Sequence, residues 1–217
     1  MLFSRTMPQK QAQFHIMTVC SGNICRSPVA ERYLAIGLAH LGVTDVTVDS
    51  AGTIARDGQS MPDQAIQLAA QHGANADGHQ ARYLVERHVA EADLIFAMAR
   101  EHRRDIVSMH PRASRYTFTL REFARLAVGM TVDDFSDVAA LPMTEGAERL
   151  RAAVALVAAR RGLVDAPADP LEDDVVDPYR LSDDVFIESG RQLFPAADVV
   201  LNLIQTALTV GPKGTDA

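Results

Sequence analysis

Cys20 opens the segment Cys20-Ser21-Gly22-Asn23-Ile24-Cys25-Arg26-Ser27-Pro28, whose residue types and spacing could transfer a phosphoryl group. A thiol is a strong nucleophile once it has lost its proton, because the thiolate is the attacking species. Arg26 carries a planar fork that can grip two phosphoryl oxygens at once. Ser27 can donate a hydrogen bond to the sulfur, helping it as nucleophile and later as leaving group. Gly22 is expected to let the backbone curl so that its N–H groups point inward onto an anion. Asn23 is a residue type that tolerates an unusual backbone angle and can hydrogen-bond across such a loop. The plain alternative is a small, inert, buried cysteine that happens to precede an Arg-Ser pair.

The flanking elements favour the chemical reading. Phe14-His-Ile-Met-Thr-Val19 is an apolar run that reads as a strand, and Val29-Ala-Glu-Arg-Tyr-Leu-Ala is strongly helical. Ser27 and Pro28 suit the N-cap and first turn of that helix. A helix beginning behind the loop adds its positive N-terminal end to the cradle and favours the Cys20 thiolate.

Strand and helix signals then alternate. The pattern predicts strands near 14–20, 46–50, 92–98 and 116–119. Helices are expected near 28–41, 62–72, through Glu101 to Val107, and over 120–126. Gly42 and Gly73 follow the first two as stops. A long helix is expected over 183–209, with Pro195 breaking or kinking it. The result is an α/β fold: a four-stranded parallel sheet with helices on both faces and a phosphate-binding loop after the first strand. In such sheets the ligand lies beyond the carboxyl ends of the strands, where Cys20 sits.

The loop resembles the active-site loop of the low-molecular-weight protein tyrosine phosphatases, whose signature is Cys-x-x-x-x-x-Arg-Ser near the N-terminus. Three more segments fall in the order the family would require: Ser50-Ala51-Gly52-Thr53, His79-Gln-Ala-Arg82 before the strand ending Phe96-Ala-Met98, and Asp177-Pro178-Tyr179. The resemblance implies phosphotyrosine hydrolysis through a cysteinyl-phosphate intermediate, with Cys20 and Arg26 at the centre. It makes Asp177 the acid that protonates the leaving oxygen and then the base for water. It has Ser50 and His79 fixing Asn23, although an exposed loop histidine is the alternative for His79. His102, on its charged helix, is expected to be merely solvated. Ser21, Gly22, Asn23, Ile24, Cys25 and Ser27 complete the phosphate-binding loop. Cys25 matches a second loop cysteine that can pair with the nucleophile under oxidation, or it is simply a small buried residue.

Several positions depart from the family pattern. Arg180 stands where a second aromatic often follows Asp-Pro-Tyr, and Ile54-Ala55-Arg56 replace the usual aromatic after Thr53. Ala99 follows Met98 where an Asp is common. Tyr179 and Arg180 are therefore the expected substrate wall, with Tyr179 the main residue left to stack on a phenyl ring. Protein-arginine phosphatases of the family carry threonine at the position of Ile24, so an apolar Ile24 favours the tyrosine-phosphate type. Arsenate reductases on this fold need cysteines beyond the loop, and none follows Cys25. A non-catalytic anion-binding module is the reading from another class. Retention of Cys20, Arg26, Ser27 and Asp177 together argues against it.

Composition fits a soluble domain with a real core: 217 residues, 47% hydrophobic and 23% charged. A net charge of −7 without a basic stripe argues against nucleic-acid binding. No signal peptide or membrane span is expected, and two cysteines point to a reducing cytoplasm. They cannot build a four-cysteine zinc site, the histidines lack paired ligand spacing, and neither metal nor cofactor is expected. The expected partner is a phosphotyrosine-bearing protein or a small aryl phosphate.

Residues 14–210 form the expected phosphatase domain, between a flexible tail at 1–13 and a C-terminal tail at 211–217. Residues 129–172 do not match the family. They hold a helical pattern, Thr144 to Arg161, closed by Gly162, and then an acidic, Pro-containing stretch over 165–174. The expected role is an elaboration packed on the domain. The alternative is a lid or docking element, because this segment feeds directly into the loop carrying Asp177.

Overall fold

The computed structural model describes residues 13–212, so all but one residue of the expected N-terminal tail and most of the C-terminal one lie outside it. Four strands, β1 (Phe14–Cys20), β2 (Val46–Gly52), β3 (Leu94–Ala97) and β4 (Thr117–Thr119), pair in parallel in the order β2-β1-β3-β4. Among the described residues, eight α-helices connect and cover them: α1 (Arg26–His40), α2 (Asp63–Gln71), α3 (Glu86–Glu91), α4 (Arg100–Met109), α5 (Leu120–Ala127), α6 (Ser136–Ala139), α7 (Gly146–Ala159) and α8 (Asp183–Thr209). The expected class is the observed one. The short helix α3 had no sequence signal of its own.

Both faces of the sheet are buried, which is why its inner strands read as continuous apolar runs. Phe14, Ile16, Leu94, Phe96 and Phe118 belong to one core with residues of α1, α5, α7 and α8. Met17, Val19, Ile95 and Ala97 belong to the other, with Val89 of α3 and Ile106 of α4. Phe123 meets Phe96 and Phe118 edge-on, with centroids 5.2 and 5.1 Å apart, an arrangement that adds to plain area burial.

Helix α8 runs unbroken through Pro195, so of the expected break or kink at least the break does not occur. Proline removes one intrahelical hydrogen bond, but α8 packs on α1, α2, α5 and α7, and that packing holds it together. Helix α7 is part of the same core. Its fully buried Arg149 donates to the carbonyls of Leu141 (2.6 Å), Ala207 (2.9 Å) and Val210. The last two lie at the C-terminal end of α8, where helix carbonyls lack partners and carry partial negative charge. Arg161, just beyond α7, donates to Ser114 and Thr117 carbonyls and lies 3.9 Å over the Phe118 ring.

The acidic stretch is pinned by arginines. Asp173 pairs with Arg125 at 2.8 Å and Asp174 with Arg100 at 3.1 Å, while Arg121 donates to the Asp174 carbonyl. Asp174 also accepts from the Arg100 backbone N–H at 2.8 Å. Helix α4 follows Ala99, which has no capping side chain. A carboxylate from residue 174 therefore takes the N-terminal position that Ala99 leaves without an acceptor.

Candidate active site

Strand β1 ends at Cys20 and α1 begins at Arg26, so the loop between them is short and strongly bent. The left-handed residue in this bend is Asn23, with φ 53°, whereas Gly22 has no positive φ. The curl expected of the glycine is thus made by the asparagine, whose side chain holds the strained backbone in place. The helix N-cap is Cys25 rather than Ser27. Ser27 lies inside the first turn, where its hydroxyl is available to the sulfur.

Loop carbonyls turn outward. Cys20 and Ser21 carbonyls accept from Thr53 and Ile54 N–H groups at 3.0 Å each, and the Asn23 carbonyl accepts from His79 Nε2 at 2.7 Å. A trans peptide places N–H opposite C=O, so the amides of Ser21, Gly22 and Ile24 face inward and form an anion cradle. Gly52, paired with Cys20 across β1 and β2, permits this approach. A Cβ there would fall 2.4 Å from the Ser21 carbonyl oxygen and 2.8 Å from Asn23 N.

Cys20 Sγ lies 3.0 Å from Ser27 Oγ. Asn23 Nδ2 donates to Ser27 Oγ (3.0 Å) and to Ser50 Oγ (2.7 Å), leaving the Ser27 hydrogen free to point at the sulfur. Ser50 Oγ donates onward to Glu31, and Arg82 donates its N–H to Asn23 Oδ1 (2.9 Å) and its Nε–H to the Ser50 carbonyl (2.7 Å). Thr18 Oγ1 ties the strand to the Ser27 carbonyl at 2.8 Å. Ser50 and His79 are both buried against Asn23, so His79 is no exposed loop residue. The sequence reading assigned nothing to Glu31 or Thr18. Arg82 stood within a quoted segment, but its spacing revealed no contact with Asn23.

Arg26 is buried, with 4% of its surface exposed. Nη1 donates to the Val175 carbonyl at 3.0 Å, and Nη2 donates to Asp177 Oδ2 at 2.7 Å. Its buried Nε has no partner among the described residues. Nε–H and Nη2 share one edge of the guanidinium, the edge a dianion would take bidentately. Asp177 is half exposed above it and accepts from Tyr179 N–H.

A cleft of about 460 Å³ opens over the sulfur. Ser21, Gly22, Ile24, Cys25 and Arg26 line its floor, while Ile54, Arg56, Gln59, Asp177, Tyr179 and Arg180 line its sides. Arg180 adopts a left-handed φ of 62° and lies 5.0 Å over the Tyr179 ring. Burial, with the charges of Cys20 and Asp177, pushes the Cys25 thiol up to about 12, while Arg26 opposes the shift. Among the described residues no group of three or more His, Cys, Asp or Glu could hold a metal ion.

The sequence model of the low molecular weight phosphotyrosine protein phosphatases matches residues 15–162. The chain belongs to this family. It is 36% identical over 113 residues to "Probable low molecular weight protein-tyrosine-phosphatase EpsP" of Ralstonia solanacearum, covering 52% of this chain and 74% of that protein. It is 34% identical over 122 residues to the protein-arginine-phosphatase of Geobacillus stearothermophilus, covering 56% and 79%. Its fold is similar to that of the low molecular weight protein tyrosine phosphatase from T. tengcongensis, with a TM-score of 0.61 at 26% identity over 88% of this chain and 97% of that one.

The expectation for His102 is overturned as well. His102 is not solvated: it is 1% exposed, and its Nε2 lies 2.8 Å from Ser21 Oγ. The strand end explains this. Met98 N–H bonds to the Val19 carbonyl, so β3 ends beside β1 and α4 starts against the loop. Charged neighbours on α4 concealed a buried position.

Proposed function

We propose that this chain is a cysteine-dependent phosphatase that hydrolyses phosphotyrosine in proteins. The Cys20 thiolate attacks phosphorus while the P–O bond to the phenol breaks, and Asp177 gives the departing oxygen its proton. A cysteinyl phosphate results. Water then attacks phosphorus, its proton passes to the Asp177 carboxylate, and the S–P bond breaks to return the thiolate and release inorganic phosphate. Inward amides and the Arg26 fork stabilise the charge on the phosphoryl oxygens in both steps. The observation that carries this reading is Arg26, whose buried Nε lacks a partner among the described residues and lies beside a sulfur held by Ser27.

Ser50 and His79 serve as loop support through Asn23. Tyr179 and Ile54 form the wall for a phenyl ring, with Arg180 at its edge. Nucleophile, cation and acid all come from the chain, so the scheme uses no cofactor. Among the described residues no helix is long and apolar enough to cross a membrane, which fits action in the cytoplasm. Residues 129–172 act as a strut rather than a lid, because α7 is packed into the core and Arg125 holds the Asp165 carbonyl at 2.9 Å, while Arg100, Arg121 and Arg125 clamp Asp173 and Asp174 just beyond.

The second reading, removal of phosphate from arginine, rests on the likeness to the Geobacillus stearothermophilus protein. Ile24, buried on the cleft floor, favours an aromatic leaving group over a guanidinium. Side-by-side assays on an aryl phosphate, a phosphotyrosine peptide and a phosphoarginine protein decide between them. Hydrolysis of the first two with little of the third is expected. Preferential turnover of phosphoarginine would transfer the assignment, and no turnover of any would overturn it.

A further inference from the structure

His102 and Ser21 form a pair that the scheme above leaves unused. The imidazole is enclosed, its Nε2 is 2.8 Å from Ser21 Oγ, and its buried Nδ1 has no partner among the described residues. Enclosure, then the nearby Arg26 charge, keeps the ring neutral, pushing its pKa down to about 3. A neutral imidazole carries one proton, and the surroundings decide where it sits. A proton on Nδ1 would be a buried donor with nothing to receive it, which folded proteins rarely contain. On Nε2 it can reach Ser21 Oγ, with Glu101 Oε1 as a second acceptor at 3.5 Å. The Nε2–H form is therefore the one this site holds.

The consequence falls on Ser21. Its oxygen accepts from His102 Nε2 and, at 3.5 Å, faces the Nη2 donor of Arg26. With its acceptor sites directed at those two groups, the hydroxyl hydrogen must point elsewhere. Ser21 lines the cleft floor, where an anion supplies acceptors. We propose that the Ser21 hydroxyl donates a hydrogen bond to the phosphoryl group during transfer, and that His102 is the positioning residue that orients it. The proposal rests on the phosphatase reading of the same site.

The test joins kinetics with spectroscopy. Ser21→Ala should lower kcat/KM for an aryl phosphate about tenfold, the effect of losing one hydrogen bond to a charged group. Ser21→Thr should keep most of it. His102→Leu should cost a similar factor, and His102→Gln, whose amide can donate from a similar place, should recover much of the loss. The Ser21→Ala/His102→Leu double variant should be no slower than either single one. Nitrogen-15 shifts of the unaltered protein should report the Nε2–H tautomer, a readout that a purely structural histidine would not require. An Nδ1–H tautomer, independent and multiplying losses in the double variant, or unchanged kcat/KM in Ser21→Ala would each overturn the proposal. Absence of phosphatase activity in the unaltered protein would instead strike the underlying reading, and the tautomer measurement stands apart from that result.

Discussion

Arg26 Nη2 donates to Asp177 Oδ2 at 2.7 Å, linking the residue that would bind phosphate to the one that would protonate the leaving group. A phosphoryl dianion gripped through Nε and Nη2 would share the Nη2 group with the Asp177 carboxylate. In the proposed scheme, substrate binding would loosen the carboxylate from Arg26 and leave it beside the ester oxygen. Arg26 itself stays in place, because Nη1 remains anchored on the Val175 carbonyl, and Val175 N–H is anchored on Met98.

The need for Asp177 should scale with how poor the leaving group is. Asp177→Ala should cost on the order of 10²–10⁴ in kcat for phosphotyrosine, the usual range for a lost acid–base group. The loss should shrink for phenols of low pKa, which depart without help. Controls follow from the structure, since Asp173 and Asp174 are paired to Arg125 and Arg100 and Asp183 starts α8. Rate measurements across a series of substituted phenyl phosphates check this. A flat series, or equal effects at all four aspartates, would remove Asp177 from the role.

Cys20→Ser should abolish turnover but keep oxyanion binding, because the amides and Arg26 remain. Phosphate or vanadate should still raise Tm in this variant. Residual turnover comparable to that of the unaltered protein would end the thiolate mechanism, and loss of activity on adding a chelator to the unaltered protein would point to a metal route.

Gly52→Ala should damage the site without touching a catalytic group. Its Cβ would press on two backbone atoms, the Ser21 carbonyl oxygen and Asn23 N, neither of which can yield without moving the loop. Overpacking of this kind costs about 1–3 kcal/mol, and kcat/KM should fall along with Tm. Gly22→Ala is the contrast: its nearest neighbour would be the Ile24 side chain at 3.3 Å, which can shift by a few tenths of an ångström. Similar losses in both variants would contradict the geometry.

Cys25 should act as the trap for oxidised Cys20. Peroxide converts the Cys20 thiolate to a sulfenic acid, and attack by Cys25 sulfur then forms a disulfide and releases water. A thiol pushed up to about 12 has little thiolate at neutral pH, so trapping should speed up as pH rises. Neutralising Cys20 by oxidation also removes one of the charges holding Cys25 up. Peptide mapping after peroxide should find the Cys20–Cys25 link, reversible by dithiol, and more of it at pH 8.5 than at pH 6.5. Overoxidised Cys20 alone would reject the trap.

The legibility of this chain follows from how local each signal is. Strand β1, the loop and α8 were readable because unbroken apolar runs, a fixed Cys-to-Arg spacing and a long helical pattern lie within one stretch of sequence. Asn23 was readable as a strained loop residue for the same reason. What escaped depends on contacts between distant segments. Asp174 serves the start of α4 from 74 residues away, and Arg149 serves the end of α8 from 58 and 61 residues away. Neither has a local pattern to betray it. His102 misled because its helix is charged on its other faces, and only the β1–β3 pairing turns that one position toward the loop.

The buried histidine also predicts how the fold responds to acid. His102 has an ordinary pKa near 6.5 when the chain is unfolded and about 3 when folded, held down by burial and then by Arg26, with Asp174 opposing. Glu101 Oε1 also faces the ring, at 3.5 Å. Between those two values the unfolded chain binds a proton that the native state does not. Stability contributed by the neutral ring is therefore complete above pH 6.5 and is lost as pH falls toward 3, at up to about 1.4 kcal/mol per pH unit. Asp49, which burial pushes up but His15 and Arg82 hold below the ordinary carboxylate range, loses its own contribution over an overlapping range, so the difference between variants is the quantity to read. His102→Gln removes the titration while keeping a donor for Ser21. Urea unfolding at pH 4.5 and pH 7.5 should show a smaller acid loss for His102→Gln than for the unaltered protein. Equal losses in the two would mean that His102 takes up its proton without opening the fold, and the enclosed neutral ring would have to be abandoned.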